Sequence, residues 1–263
     1  MNDLQNQCKD VLLAPNERLD SVNFGIRLIQ NTKGLTFGTD AFLLAAFVRP
    51  SPRARAVDLG SGTGIIPLLL LGTHKVKSVT AVELQSAFAD LIQRNAALNG
   101  MSDRLFPMQE DVRNLGAAAL GFEADLVVSN PPYMRCDTGR RNEHDEKYIA
   151  RHEVMGGIFD FCAAAGRILK HGGKFVCVFR PDRLSELFSA MREASLEPKR
   201  MTFVHADEES EPSSVLIEAI KGASPSLRMT PPLFLYLPRS KENRMRVLTP
   251  MAQQIYDSCA FPK

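Results

Sequence analysis

Val57-Asp58-Leu59-Gly60-Ser61-Gly62-Thr63-Gly64 is the stretch on which the reading of this chain turns. Residues 54–59 form the apolar run of a short buried strand, the glycines make the turn that leaves it, and residues 63–71 pattern as a helix running back along a sheet. This is one βα unit. Glycine at 60, 62 and 64 leaves no Cβ in the way, so a ligand can lie against the main chain, and the helix behind offers free N–H groups. Such a turn suits a nucleotide-like molecule. A dinucleotide turn requires G-x-G-x-x-G, and the third glycine position is Ile65 here. The pattern is instead an Asp followed by G-x-G-x-G, with an acid, Glu83, closing the next strand where a carboxylate would accept both hydroxyls of an adenosine ribose.

Outward from this unit, strands at 78–83, 105–109, 124–129 and 173–179 alternate with helical segments at 86–99, 115–120, 154–169 and 182–194. Strands at 198–204 and 214–220 follow, joined by the acidic turn Asp207-Glu208-Glu209-Ser210-Glu211 as an antiparallel hairpin. The fold expected is α/β: a mostly parallel, Rossmann-like sheet of seven strands with an antiparallel last strand and helices on both faces. Residues 1–50 are expected to supply a small hairpin and a cap helix, 51–221 the ligand-binding domain, and 222–263 a Pro-rich extension of the same globule with an edge strand near 233–237 and a terminal helix at 250–258.

With 263 residues, 44% of them apolar and 24% charged, the chain can bury one substantial core. The start, Met1 to Cys8, lacks the basic and apolar runs of a leader, and the apolar stretch 65–71 is too short to span a bilayer, so no membrane association is expected. Cys8, Cys136, Cys162, Cys177 and Cys259 are scattered without CxxC spacing, which argues against disulfides and a zinc site and for a reducing cytoplasm. His144 and His152 are read as loop polar groups, and no metal is expected. A net charge of +2 does not announce a nucleic-acid binder. Two basic clusters, Arg135, Arg140, Arg141, Lys147 and Arg151, then Arg239, Lys241, Arg244 and Arg246, suit either phosphate contact or a solvated loop.

A second motif, Asn130-Pro131-Pro132-Tyr133, follows the 124–129 strand at its carboxyl end, the side on which open α/β sheets bind ligands. The prolines fix φ and remove two N–H donors, leaving carbonyls that can face a cleft; Asn130 adds a side-chain carbonyl and Tyr133 an aromatic face. Upstream, Phe37-Gly38-Thr39-Asp40-Ala41 opens the cap helix, with Thr39 expected as its N-cap and Asp40 in its first turn. Asp111 and Val112 follow the 105–109 strand.

The glycine turn with its ribose acid resembles the class I S-adenosylmethionine-dependent methyltransferases, and the addition of Asn-Pro-Pro-Tyr resembles those that act on planar nitrogen. More narrowly, Ile29-Gln30, Thr36-Phe37-Gly38-Thr39-Asp40-Ala41 and Ala150-Arg151-His152-Glu153 resemble the bacterial family that N6-methylates an adenine beside the anticodon of valine tRNA. The resemblance implies S-adenosylmethionine as cofactor and tRNA as partner. It implies a cofactor set of Phe37, Gly38, Thr39 and Asp40 at the amino-acid end, Asp58, Gly60, Ser61, Gly62 and Gly64 at the turn, Glu83 and Leu84 at the ribose, Asp111 and Val112 at the adenine, and Asn130. Asn130, Pro131, Pro132 and Tyr133 are the implied catalytic residues: the Asn130 side-chain oxygen and the Pro131 carbonyl hold both N–H bonds of an exocyclic amine as it turns from planar to tetrahedral. Tyr133 would stack on the target base, and Arg135, Arg140, Arg141 and Arg151 would meet tRNA phosphates from a loop, 134–152, that orders over substrate. Alternative readings are N-methylation of a protein glutamine amide, for which no separate N-terminal helical domain is visible, methylation of a base in ribosomal RNA, and a non-catalytic nucleotide-binding scaffold.

Overall fold

The computed structural model describes residues 13–32, 38–132, 156–238 and 246–262. The chain opens with an antiparallel hairpin, β1 (Glu17–Ser21) and β2 (Arg27–Asn31), turned by Asn23–Gly25. Helix α1 (Thr39–Phe47) follows, then β3 (Arg55–Leu59), α2 (Ile65–Gly72), β4 (Ser78–Glu83), α3 (Ser86–Leu98), β5 (Leu105–Gln109), α4 (Ala117–Leu120) and β6 (Ala124–Ser129). The second half runs α5 (Ile158–Ile168), β7 (Leu169–Phe179), α6 (Leu184–Glu193), β8 (Leu196–His205), β9 (Pro212–Lys221), β10 (Arg228–Met229), β11 (Leu233–Phe234) and α7 (Pro250–Ser258).

The main sheet has nine strands, in the order β5-β4-β3-β6-β7-β9-β8, with β10 and β11 both paired to β8. The seven expected strands are all present, and the two short ones extend the β8 edge. Strand β9 lies antiparallel to both β7 and β8, as the hairpin reading requires, while β3, β4, β5, β6 and β7 are parallel to their neighbours in that series. From β3 the chain winds outward through β4 to β5, then returns to place β6 on the other side of β3. That reversal opens a crevice at the carboxyl ends of β3 and β6.

Two apolar layers cover the sheet. One packs α1, α2, part of α3 and Ala252 and Ile255 of α7 on one face; the other packs α5 and α6 on the opposite face. Helix α2 is buried along its whole length from Ile65 to Leu71, and its Pro67 falls in the first turn, where no intrahelical N–H bond is lost. It begins at Ile65 rather than at 63, because Gly64 in the left-handed region precedes it.

Helix α1 differs from expectation at its start. Gly38, extended at φ −104°, is the N-cap, and Thr39 is already helical with no side-chain cap. Tyr256 of α7 packs on this same turn, its ring stacked on Phe42 at 4.7 Å. The other end is held by two cations. The buried Lys75 donates to the carbonyls of Ala45, Ala46 and Val48 at 2.7, 3.0 and 2.8 Å, and Arg200 donates to the Phe47 carbonyl at 2.6 Å with its guanidinium 3.6 Å over the Phe47 ring. Cations at a helix C-terminus satisfy its last carbonyls and oppose its dipole. Burial lowers the Lys75 pKa to about 8.

The hairpin docks through two asparagines four residues apart, Asn95 on α3 and Asn99 just past its end. Asn95 accepts from the Ile29 N–H at 2.7 Å and donates to the Ile29 carbonyl at 3.0 Å; Asn99 accepts from the Arg27 N–H at 2.9 Å and donates to the Arg27 carbonyl at 2.7 Å. Residues four apart on a helix thus match residues two apart on a strand, and each amide imitates a strand neighbour.

Candidate active site

Register brings the two motifs together. Leu59 pairs with Ser129 across β3 and β6, so Gly60 and Asn130, the next residue on each strand, leave the sheet side by side. The Ser129 hydroxyl donates to the Leu59 carbonyl at 2.9 Å and fixes that edge. On the other side Leu59 pairs with Val82, and the N–H groups of Gly60 and Ser61 both donate to the Val82 carbonyl at 3.0 and 3.1 Å. Glu83 is therefore next to the turn.

The turn itself is tied to its acids. Glu83, 2% exposed, accepts from the Gly62 N–H at 2.9 Å with one oxygen and from the Gln85 N–H at 3.0 Å with the other. A carboxylate has further lone pairs on each oxygen. Asp58 lies beneath, fully buried; one oxygen accepts from the Ser61 hydroxyl at 2.6 Å and the other, Oδ1, is buried without a hydrogen-bond partner. Burial pushes its pKa up to about 7, with repulsion from Glu83 adding to that and the Ser61 hydroxyl opposing. The structure places Asp58 and Ser61 as supports of the turn. Gly62, at φ +55°, is where the chain is open: a Cβ there would meet nothing within 4 Å, whereas at Gly60 it would stand 3.2 Å from the Phe161 ring.

Further along the carboxyl edge, Asp111 and Val112 follow β5. Val112 is buried. Hydrogen bonds from the Arg113 side chain, Nε at 3.0 and 2.9 Å from the two oxygens, hold the Asp111 carboxyl below the usual range despite partial burial. Asp111 thus already has a cationic neighbour, which the sequence did not suggest. Leu84 is half-buried, as are Asn130 and Pro132, while Pro131 is buried. On the far side of the crevice Asp40 lies near the Ser214 hydroxyl at the start of β9, which sets the amino end of α1 at this same edge of the sheet. Burial raises the Asp40 pKa, and the Ser214 hydroxyl opposes. Phe37, Tyr133, Arg135, Arg140, Arg141 and Arg151 lie outside the described residues.

The arrangement is a bare main-chain turn with a buried acid beside it, a rigid Asn-Pro-Pro corner, and a helix start with an acid, all converging on one crevice. The methyltransferase small domain family matches residues 32–195. The chain belongs to that family. It is an S-adenosylmethionine-dependent methyltransferase. The tRNA1(Val) (adenine(37)-N6)-methyltransferase of Porphyromonas gingivalis is 28% identical over 69% of this chain and 72% of its own length, and that of Citrobacter koseri is 31% identical over 58% and 61%. A predicted O-methyltransferase from Agrobacterium tumefaciens shares the fold, with a TM-score of 0.67 at 23% identity over 85% of this chain and 98% of that one. The methyltransferase site fits its cofactor on two observations: the open main chain at Gly62, and the buried Glu83 that already accepts from that turn with lone pairs to spare.

Three positioning side chains escaped the sequence reading. Asn95 also donates to the Thr63 carbonyl at 2.9 Å, so one buried amide holds both the hairpin and the glycine turn. Its only trace in the sequence is the four-residue spacing to Asn99. Arg167 of α5 donates to the carbonyls of Leu115, Val112 and Arg113 at 2.9, 2.8 and 3.1 Å and so holds the loop that carries Val112. Tyr256 stacks on Phe42 of α1 from the far end of the chain, with no local signal at all.

Proposed function

We propose that this methyltransferase transfers a methyl group to the N6 nitrogen of an adenine in tRNA, an anticodon-loop adenine of valine tRNA, and that it works in the cytoplasm. The observation that carries the reading is the register of Leu59 with Ser129, which sets the Asn130-Pro131-Pro132 corner beside the glycine turn. The two relatives described above, whose names state this activity, support it.

In this reading Glu83 accepts the ribose hydroxyls, the loop at 111–112 flanks the adenine, and the start of α1 takes the amino-acid end. The cofactor supplies an electrophilic methyl on a sulfonium. The chain's own part is to prepare the nitrogen. An amine conjugated to a ring is a poor nucleophile until it turns tetrahedral, which localises its lone pair and builds positive charge. The Asn130 side-chain oxygen and the Pro131 carbonyl accept its two N–H bonds and stabilise that charge, an oxyanion hole with the sign reversed. Holding nitrogen and methyl in line makes the step effectively intramolecular. Tyr133 stacks on the base, and Arg135, Arg140, Arg141 and Arg151 meet phosphates.

The test is methyl transfer from labelled S-adenosylmethionine to tRNA lacking the modification, followed by digestion to nucleosides. Label is expected in N6-methyladenosine. Asn130→Ala should lose on the order of a hundredfold in turnover. Unlabelled tRNA beside demonstrable cofactor binding would refute the tRNA assignment and move the search to a protein glutamine amide or ribosomal RNA.

A further inference from the structure

The loop after β5 is held twice, by one arginine at its backbone and by another at its acid. Glu83 pairs with Gln109 at the ends of β4 and β5, and the Glu110 N–H donates to the Glu83 carbonyl at 3.2 Å, so Asp111 leaves the sheet next to the end of β4. Arg167 of α5 then holds the carbonyls of Val112, Arg113 and Leu115, and the buried Val112 anchors the loop from within. The path of the main chain is set without help from Asp111.

The Asp111 carboxylate is fixed separately. The Arg113 N–H donates to its Oδ1 at 2.9 Å, and the Arg113 guanidinium closes over the same group as a fork, with Nε 3.0 Å from Oδ1 and 2.9 Å from Oδ2 and Nη2 2.5 Å from Oδ2. A planar fork fixes the plane of a carboxylate as well as meeting its charge. An ionised carboxylate has about four acceptor sites and no proton to donate. The three N–H donors of Arg113 leave about one of those sites open, on a side chain that keeps 16% of its exposure.

We propose that Arg113 is a positioning residue for adenine recognition: it fixes the plane in which the remaining acceptor site of Asp111 meets the exocyclic amine of the cofactor. An acid held ionised only accepts, so it pairs with an amine at that position of the ring and not with a carbonyl. The same hydrogen bonds that orient the carboxyl hold it below its usual range. The proposal rests on the reading that the 111–112 loop flanks the adenine. Arg113 itself is exposed, and an exposed ion pair contributes little to stability, so its substitution probes the site and not the fold.

Arg113→Ala removes the fork and keeps both the acid and the backbone bonds made by Arg167. The full chain is titrated calorimetrically with S-adenosylhomocysteine and with its purine-riboside analogue, in which hydrogen replaces the exocyclic amine and the ring nitrogens are unchanged. The parent is expected to prefer S-adenosylhomocysteine at least about tenfold, as for one hydrogen bond to a charged acceptor. Arg113→Ala should bind S-adenosylhomocysteine about 3- to 10-fold more weakly and the analogue as the parent does, with melting within about 2 °C of the parent. In an Asp111→Ala background the same substitution should weaken binding no further, because the guanidinium acts only through that carboxylate. Equal weakening of both compounds, unchanged affinity for S-adenosylhomocysteine, or a further loss in the Asp111→Ala background would overturn the role given to Arg113. A parent that binds the two compounds equally would overturn instead the placement of Asp111 at the adenine, and one that binds neither would overturn the cofactor placement itself.

Discussion

Replacing Asn95 by Ala removes three buried hydrogen bonds at a residue with no exposed surface: Ile29 N–H to Oδ1 at 2.7 Å, Nδ2 to the Ile29 carbonyl at 3.0 Å, and Nδ2 to the Thr63 carbonyl at 2.9 Å. At about 1 kcal/mol net for each bond the loss is about 3 kcal/mol, and more where a backbone group is left buried without a partner. For a chain of this size each kcal/mol moves the melting midpoint by about 2–4 °C, so Asn95→Ala should melt about 6–12 °C lower. Asn99→Ala is the internal control. It also breaks two bonds to the hairpin backbone, but at a half-buried position where water can replace them, so a fall of about 2–4 °C is expected. Because the third Asn95 bond holds the glycine turn, Asn95→Ala should also weaken S-adenosylhomocysteine binding below the melting range, whereas Asn99→Ala should not. Differential scanning fluorimetry and calorimetric titration read the two effects. If the two variants melt together, or if Asn95→Ala binds the ligand as the parent does, the amide does not tie hairpin to turn in the way described.

Two further substitutions probe the acids of the turn. Asp58, raised by burial from 3.8 to about 7, binds its proton in the folded chain where the unfolded chain has released it, so its favourable contribution is present at low pH and lost as pH rises through about 7. A shift of about 3 units corresponds to at most about 4 kcal/mol. Urea unfolding from about pH 5 to about pH 8 should therefore show the parent losing stability relative to Asp58→Asn, and parallel curves would contradict the buried-acid account. Glu83→Ala leaves the Gly62 and Gln85 N–H groups without their carboxylate and takes away the proposed ribose acceptor. S-adenosylhomocysteine should bind at least about tenfold more weakly, as for loss of a charged hydrogen bond, and unchanged affinity would remove Glu83 from the site.

The ligand-facing side of this molecule is legible in the sequence because its signals are local. Gly60, Gly62 and Gly64 all take a positive φ that favours glycine, Asn130-Pro131-Pro132 is a stiff corner on its own account, and the alternation of apolar strands with helices sets the parallel order around β3. The supporting side is not legible. Thr39 reads as an N-cap because Thr before an apolar run usually is one, and the structure instead sets the cap at Gly38 with Thr39 already helical. Asp58 shares the motif with the glycines, and nothing local marks its burial beneath the turn on the Ser61 hydroxyl.

These supports have a common form. Asn95 to Thr63, Ser129 to Leu59, Arg167 to the 112–115 loop, and Lys75 and Arg200 to the end of α1 are all side chains that donate to backbone carbonyls on another element. A carbonyl acceptor exists at every residue, so such a bond leaves no matching side chain to find in the sequence, and only the donor's burial betrays it. In the proposed reading, the glycine turn and the loop that carries Val112 are held by donors, Asn95 and Arg167, that take no part in ligand contact. Crevice geometry is then set before a ligand arrives, which is the condition under which fixed acceptors at Asn130 and Pro131 can favour a developing charge without reorganising. Substitution of the pins should therefore loosen binding and rate together while leaving every residue of the motifs in place.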